Sequence, residues 1–262
     1  MPVKLLFIGD IVGKSGRQAI SRELHRLVDH HKIDVVVANG ENAAGGFGLT
    51  EEVAGDLFKL GIDLLTSGNH IWDKRDSLDY IKRELRLLRP ANYPEGAPGF
   101  GSSVLRTAGG IKVGVLNLEG RVFMNNLECP FRTADREIAL LAKETPVIFV
   151  DFHAEATSEK ASLCWYLDGR VSAVIGTHTH VQTADERVFP GGTAYITDAG
   201  MTGAFDSVIG IRKEEAIQKF LTQLPVKFEV AKSNICLNGV VVEVDELSGK
   251  ALGIERINIC CN

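Results

Sequence analysis

Long apolar runs are missing from this 262-residue chain. None approaches the roughly 20 consecutive apolar residues that a spanning helix needs, so no membrane partner is expected. Cysteine is scarce as well. Five residues, an odd number without a Cys-x-x-Cys pair, argue against both a disulfide framework and a zinc ribbon, and the cytoplasm is the expected compartment. Cys260 and Cys261, side by side near the end, read as plain thiols. Nor is there a surplus of cations: 29 Lys and Arg stand against 34 Asp and Glu, a net charge of −5. This balance argues against a broad basic face for duplex nucleic acid, because such binding is driven by phosphate neutralisation. A small phosphate ligand stays compatible, since local cations or metals can reverse the overall sign. Low-complexity tracts, internal repeats and linkers rich in Pro, Gly or Ser are absent too, and residues 1–262 are expected to form one domain.

What is present is an alternation of strand and helix signals. "VKLLFIG" is a β-rich run bounded by Gly9-Asp10, better read as a first strand than as a secretory leader. "SGRQAISRELHRLVDHHK" then sets Ile20, Leu24, Leu27 and Val28 on one helical face. "IDVVVANG" reads as a second buried strand, "TEEVAGDLFKLG" as a helix opened by Thr50 and closed by Gly61, and "IDLLTSG" as a third strand. Helices over "DSLDYIKREL", "TADREIALLAKE" and "SEKASLCWYL" follow, with strands near "GSSVLRT", "IKVGVLNLEG", "PVIFVDFH" and "VSAVIGTHTH". Such alternation implies parallel β-α-β units with helices on both faces. From about Gly191, "GGTAYITDAG", "KFEVA", "ICLNGVVVEVD" and "ALGIERINI" supply strands and "RKEEAIQKFLTQL" one helix. The expected class is α/β, mostly parallel, with antiparallel strands in the C-terminal third.

The informative pattern is what ends each predicted parallel strand. The first stops at Asp10, the second runs into Gly40-Glu41-Asn42, the third into Asn69-His70, and later ones into His153 and His178-Thr179-His180. In a sheet wound this way those ends share one edge. Each residue alone has an ordinary reading, such as a helix cap, a turn or a surface imidazole. Together they bring carboxylate, amide oxygen and imidazole to one place without any thiolate, a donor set suited to Mn, Fe, Zn, Co or Ni. His178 and His180, two apart, would point to one side of an extended chain. His25, His30 and His31 lie on or after a helix and are expected in solvent.

These motifs resemble the calcineurin-like metallophosphoesterases, which carry Asp-x-His after the first strand, Gly-Asp after the second, Gly-Asn-His after the third, a later lone His, and Gly-His-x-His. Val12 stands where the Asp-x-His histidine would be, and Glu41 replaces the usual Asp. Both departures, with "GDIVGKSGR", "ANGENAAGG", "SGNHIWDK", "RPANYP" and "TDAGMTGAFDSVIG", resemble a bacterial subfamily, the YmdB-type phosphodiesterases. The resemblance implies a two-sheet α/β sandwich, a dinuclear site and action on phosphodiesters, with 2',3'-cyclic nucleotides favoured. On that basis Asp10, Asn42 and His180 would hold one divalent metal ion, Asn69, His153 and His178 a second, with Glu41 bridging. Mn or Fe is favoured over Zn, Co or Ni, and a hydroxide between the ions would attack phosphorus. His70 would act on the phosphate itself. Phe47 could stack on a base, Arg121 could contact phosphate, and Asp73 reads as readily as a helix cap as a partner for His70.

Gly13-Lys14-Ser15 hints at a nucleotide-triphosphate loop, but the pattern needs glycine at position 8, which is Ile8. A regulatory protein that holds metal and nucleotide without turnover is the other alternative. The strand-rich carboxyl end offers a surface for a homo-oligomer.

Overall fold

A computed structural model describes residues 2–75 and 77–261 of the protein. In chain order the elements are β1 (Pro2–Ile8), β2 (Asp10–Ile11), α1 (Gly13–His31), β3 (Val35–Asn39), α2 (Glu51–Lys59), β4 (Leu64–Thr66) and α3 (Ser77–Ile81). Then follow β5 (Ser102–Arg106), β6 (Lys112–Glu119), α4 (Pro130–Leu141), β7 (Ile148–His153), α5 (Thr157–Leu167), β8 (Ala173–Thr177), β9 (Arg187–Val188) and β10 (Ala194–Ile196). The chain closes with β11 (Met201–Ala204), α6 (Lys213–Thr222), β12 (Ile235–Asp245) and β13 (Ala251–Cys260).

Two mixed sheets pack face to face with helices outside each. One sheet runs β2-β11-β12-β1-β3-β4, with β13 beside β12; the other runs β5-β6-β7-β8-β10-β9. The two-residue period of each strand divides its side chains between the layers. Leu6, Ile8, Val36 and Ala38 face α1 and α2, whereas Val3, Leu5, Phe7, Val35 and Val37 meet Val113, Val115, Phe149 and Ile175 of the second sheet. Ile148, Val150 and Phe152 face outward against α4 and α5 residues such as Ile138 and Leu163. The same period turns Asn39, Thr66, Asn117, Asp151 and Thr177 toward the inter-sheet space at its carboxyl edge.

There the core changes from apolar to polar. Asp151 is buried, and its Oδ2 accepts from Asn39 Nδ2 (3.0 Å) and Thr66 Oγ1 (2.5 Å), both on the opposite sheet, while Oδ1 accepts from Thr177 Oγ1 (2.7 Å). Asn117 makes a second bridge, accepting from the Ser67 N–H at 2.9 Å and donating to the Ser67 carbonyl at 3.0 Å. Burial pushes the Asp151 carboxyl up to about 7 despite the nearby His153 and these donors.

Several expectations are corrected. β5 is antiparallel to β6 although it lies mid-chain, because the tight turn closed by Gly110 N–H to the Thr107 carbonyl is too short for a crossover. The C-terminal strands β11, β12 and β13, which the sequence allowed as a separate sheet or as an extension, extend the first sheet. "KFEVA" is not a strand; Val230 makes only an isolated bridge to Ile211. The helix expected over 76–85 is confined to Ser77–Ile81, and Asp76 lies outside the described residues. Cys260 is not a free thiol: it faces Cys236 across the β12–β13 ladder and is disulfide-bonded to it. Cys129, Cys164 and Cys261 are free.

Replacing Asp151 by Ala would strand three buried donors and is expected to cost roughly 3–5 kcal/mol. For a chain of this size that is a fall in Tm of roughly 6–20 °C. Thermal unfolding of chelator-treated protein tests this, and an unchanged Tm would show that Asp151 does not clamp the sheets.

Candidate metal centre

All seven sequence-selected donors and His70 converge at the edge that Asp151 braces. Asp10 opens β2, Glu41 and Asn42 lie in the turn after β3, and Asn69 and His70 sit in a single 3-10 turn, Asn69–Trp72, after β4. His153 ends β7, and His178 and His180 follow β8. Asp10, Glu41, Asn42 and His153 are buried. His153 Nε2 lies 3.0 Å from His178 Nδ1, 3.1 Å from Asn69 Oδ1 and 3.3 Å from Glu41 Oε1. His180 Nε2 lies 3.3 Å from Asn42 Nδ2 and 4.0 Å from Asp10 Oδ1.

The outer nitrogen of each imidazole decides which nitrogen faces inward. Thr177 Oγ1 gives its proton to Asp151 and so accepts from His153 Nδ1–H at 2.9 Å, leaving Nε2 toward the cluster. His178 Nε2 is 3.2 Å from Glu155 Oε2, which leaves Nδ1 inward. His180 Nδ1 donates to the Ile209 carbonyl at 2.9 Å, leaving Nε2 inward. By the same logic Asp73 Oδ2, 2.7 Å from His70 Nδ1, leaves His70 Nε2 for the cavity.

With His153 deprotonated, these inward atoms would be lone-pair carriers crowded together. Asp10 Oδ1 and Asn42 Oδ1 are buried with no hydrogen-bond partner, which is costly unless a cation takes their electrons. Ligand atoms of Glu41, His153 and His178 all lie within 4.8 Å of one another. The donor set thus fits divalent cations. Without one, burial raises the Asp10 carboxyl. Burial also works against ionised Glu41, but His153 and then His70 outweigh it and hold Glu41 down at about 2. His153 is disfavoured as a cation by burial yet lifted to about 9 by Glu41 and Asp10, while burial and the charge of His153 push His178 down to about 3. A metal ion entering here would displace the His153 proton.

The chain is not extended at the last two histidines, as their spacing suggested. His178 (φ 100°) and His180 (φ 66°) both adopt left-handed backbone, uncommon for residues with a side chain. One buried carboxylate fixes the loop. Asp198 Oδ2 accepts from Thr179 N (3.1 Å), Thr179 Oγ1 (2.8 Å) and the buried Lys160 Nζ (2.8 Å), and Oδ1 accepts from Gly200 N (2.8 Å).

The centre opens into a cavity of about 280 Å³ walled by Val12, Phe47, His70, Glu155, Ile209 and Ile211 among others, with no Lys or Arg on its lining. The Phe47 ring meets His70 edge-on at 5.2 Å. Arg121 is not on this wall; it is exposed, and its backbone N–H is held by Glu159 at 3.1 Å.

A family model described as YmdB-like protein matches residues 6–257. The chain belongs to the YmdB-like family. A Bacillus subtilis (strain 168) relative described as a 2',3'-cyclic-nucleotide 2'-phosphodiesterase is 51% identical over 98% of this chain and 97% of its own length. The crystal structure of a hypothetical protein from Thermus thermophilus superposes with a TM-score of 0.93 at 40% identity, covering 99% of this chain and 100% of that one. A Mycoplasma pneumoniae protein described as a novel phosphatase gives 0.93 at 36% identity, covering 99% and 94%. Metallophosphoesterase-type families of this kind imply divalent metal ions.

Several YmdB-like site features escaped sequence reasoning. Glu155 could have been noticed as a carboxylate two residues past a strand-end histidine, whereas Asp73, open in the sequence between a helix cap and a partner for His70, makes the His70 contact. The Ile209 carbonyl carries no side-chain signal at all. A Cβ on Gly68 would come within 2.1 Å of His153 Cδ2 and 2.5 Å of Glu41 Oε2. Gly68→Ala is therefore expected to weaken metal binding by about 10–100-fold, as loss of a supporting contact does. Metal titration with circular dichroism as a folding control checks this; wild-type affinity in a folded variant would show that the close approach is immaterial.

Proposed function

We propose that this phosphoric diester hydrolase acts on small cyclic nucleotides, 2',3'-cyclic nucleotides foremost, in the cytoplasm and with two divalent transition-metal ions, Mn or Fe before Zn, Co or Ni. The observation that carries the reading is the set of three inward imidazole nitrogens beside two orphaned buried oxygens at the mouth of a cavity. The activity named for the Bacillus subtilis relative supports the substrate class. Asp10, Asn42 and His180 would hold one ion, Asn69, His153 and His178 the other, with Glu41 between them. Ions bound there supply positive charge to the phosphate and lower the pKa of a water.

The chain's own residues supply the rest. Hydrolysis adds one water across the P–O2' bond: oxygen joins phosphorus, the 2' oxygen leaves and takes a proton, and a 3'-phosphate remains. His70 would give that proton from Nε2, with Asp73 Oδ2 accepting from Nδ1–H and fixing the ring. The backbone N–H of His70 donates to Glu41 Oε2 at 3.1 Å, which ties the acid's position to the metal-binding carboxylate. Phe47, Ile209 and Ile211 offer the base an apolar wall. The His70–Asp73 pair supports turnover over mere binding, since a storage site gains nothing from an oriented proton donor.

Chelation should abolish hydrolysis of 2',3'-cyclic AMP and Mn²⁺ should restore it. His70→Ala is expected to keep its metals and lose about 10²–10⁴-fold in kcat. Asp73→Asn should lose about tenfold, a smaller effect because the imidazole remains. Activity indifferent to chelation, or full turnover by metal-loaded His70→Ala, would refute the assignment.

A further inference from the structure

A second cavity adjoins the metal centre and nothing in the proposed reaction uses it. It measures about 480 Å³ and is lined by Lys14, Lys227, Lys232 and Phe228, with Gly45 and Val230 on the side toward the centre. Its walls are held firmly: buried Ser15 donates from Oγ to the Ala231 carbonyl at 2.7 Å, tying the start of α1 to the 227–232 segment. Lys14 belongs to the Gly13-Lys14-Ser15 stretch that has no triphosphate-loop register.

Most guanidinium groups that line the other cavities are spent on the protein itself. Arg89, in one other cavity, is spent on the carbonyls of Pro90, Ala97 and Pro98, and Arg136 there pairs with Glu128 and Glu137. Arg212, in another that shares Lys232 and Glu229 with this one, pairs with Glu214, Glu215 and Glu229, and Lys213 beside it is as unengaged as Lys232. Among the described residues, no hydrogen bond or ion pair engages the ammonium groups of Lys14, Lys227 or Lys232. Three unspent cations around one hollow outnumber its one carboxylate, Glu229, which pairs with Arg212, and in a chain of net charge −5 they form a local field for anions. An exposed aromatic among them, Phe228 at 39% exposure, completes the cation-plus-stacking arrangement that suits single-stranded nucleic acid.

The ridge between the two cavities is almost bare. Gly46 lines the metal cavity and Gly45 the lysine cavity, and a Cβ on exposed Gly45 would meet nothing within 4 Å. Val230 packs beneath, against Gly46 and Gly13. A chain can therefore cross from one hollow to the other over backbone alone. The metal cavity has no Lys or Arg of its own, so a further phosphate must find its counter-charge outside it.

We infer that the lysine cavity is a subsite for the phosphates preceding a terminal cyclic phosphate, which makes short single-stranded oligoribonucleotides ending in a 2',3'-cyclic phosphate a substrate class of this enzyme. This rests on the metal-centre reading above. The chemistry is unchanged: water adds to the terminal phosphorus and the 2' oxygen leaves with a proton.

The test compares kcat/KM of the Mn²⁺-loaded enzyme for 2',3'-cyclic AMP and for a trinucleotide with the same cyclic end. The trinucleotide is expected to be preferred at low salt. With two more phosphates neutralised, a fourfold rise in salt should reduce that preference about sevenfold. In a Lys14→Gln/Lys227→Gln/Lys232→Gln protein the ratio should collapse toward one and lose its salt dependence. Equal kcat/KM values in the wild type, or a ratio untouched by the triple substitution, overturns the subsite while leaving the mononucleotide activity standing. Acceleration of mononucleotide turnover by an added trinucleotide that lacks the cyclic end overturns it as well, since the cavity would then be an effector site. If neither substrate is turned over, the metal-centre reading falls and the subsite with it.

Discussion

The two sheets of this protein must meet at their carboxyl edge, and an apolar seam would not hold a polar site there. The buried Asp151 carboxylate solves this by drawing Asn39 and Thr66 from one sheet and Thr177 from the other onto its two oxygens. Hydrogen bonds to a buried carboxylate are short and directional, so they fix the spacing between sheets more narrowly than interdigitated Val and Leu could. Everything at the metal centre hangs from this frame. Asn39 precedes the Glu41 turn, Thr66 precedes Asn69, and Thr177 both precedes His178 and orients His153.

That frame explains how acidic, amide and imidazole groups can be buried together at low internal cost. Each imidazole spends its outer nitrogen on a defined acceptor, and each inner nitrogen is thereby committed to the cluster. The compensation still incomplete is electrostatic. Asp10 Oδ1 and Asn42 Oδ1 have no donor, and the Glu41–His153 pair works as an internal ion pair in the absence of metal. A site of this kind is preorganised for cations because the protein's own groups cannot neutralise it.

The convergence of the candidate donors was legible because strand ends are: polar residues that follow buried β-rich runs gather at one edge of a wound sheet. Spacing alone misleads on how two of the donors arrive. The interval between His178 and His180 suggests an extended chain, whereas left-handed backbone strapped to Asp198 turns them inward. Tertiary partners left weaker traces. The Asp73–His70 contact depends on a 3-10 turn that brings residue i+3 back over residue i. The Cys236–Cys260 bond depends on the β12–β13 register, and an odd cysteine count obscures it. The antiparallel β5 was open to inference, since "TAGG" is hairpin material and too short to carry a crossover.

The place of β12 in its sheet has a consequence for biosynthesis. This strand, near the end of the chain, pairs with β1 from Pro2 opposite Asp245 to Ile8 opposite Gly239, and stands between β1 and β11. Asp10 is likewise held by a late neighbour, Met201. Most of the chain must therefore leave the ribosome before the first sheet acquires its middle. The N-terminal donors therefore lack these sheet neighbours until residues far later in the chain have been made. Premature termination or loss of the last two strands would not trim this protein at its margin; it would remove the strand on which its beginning rests.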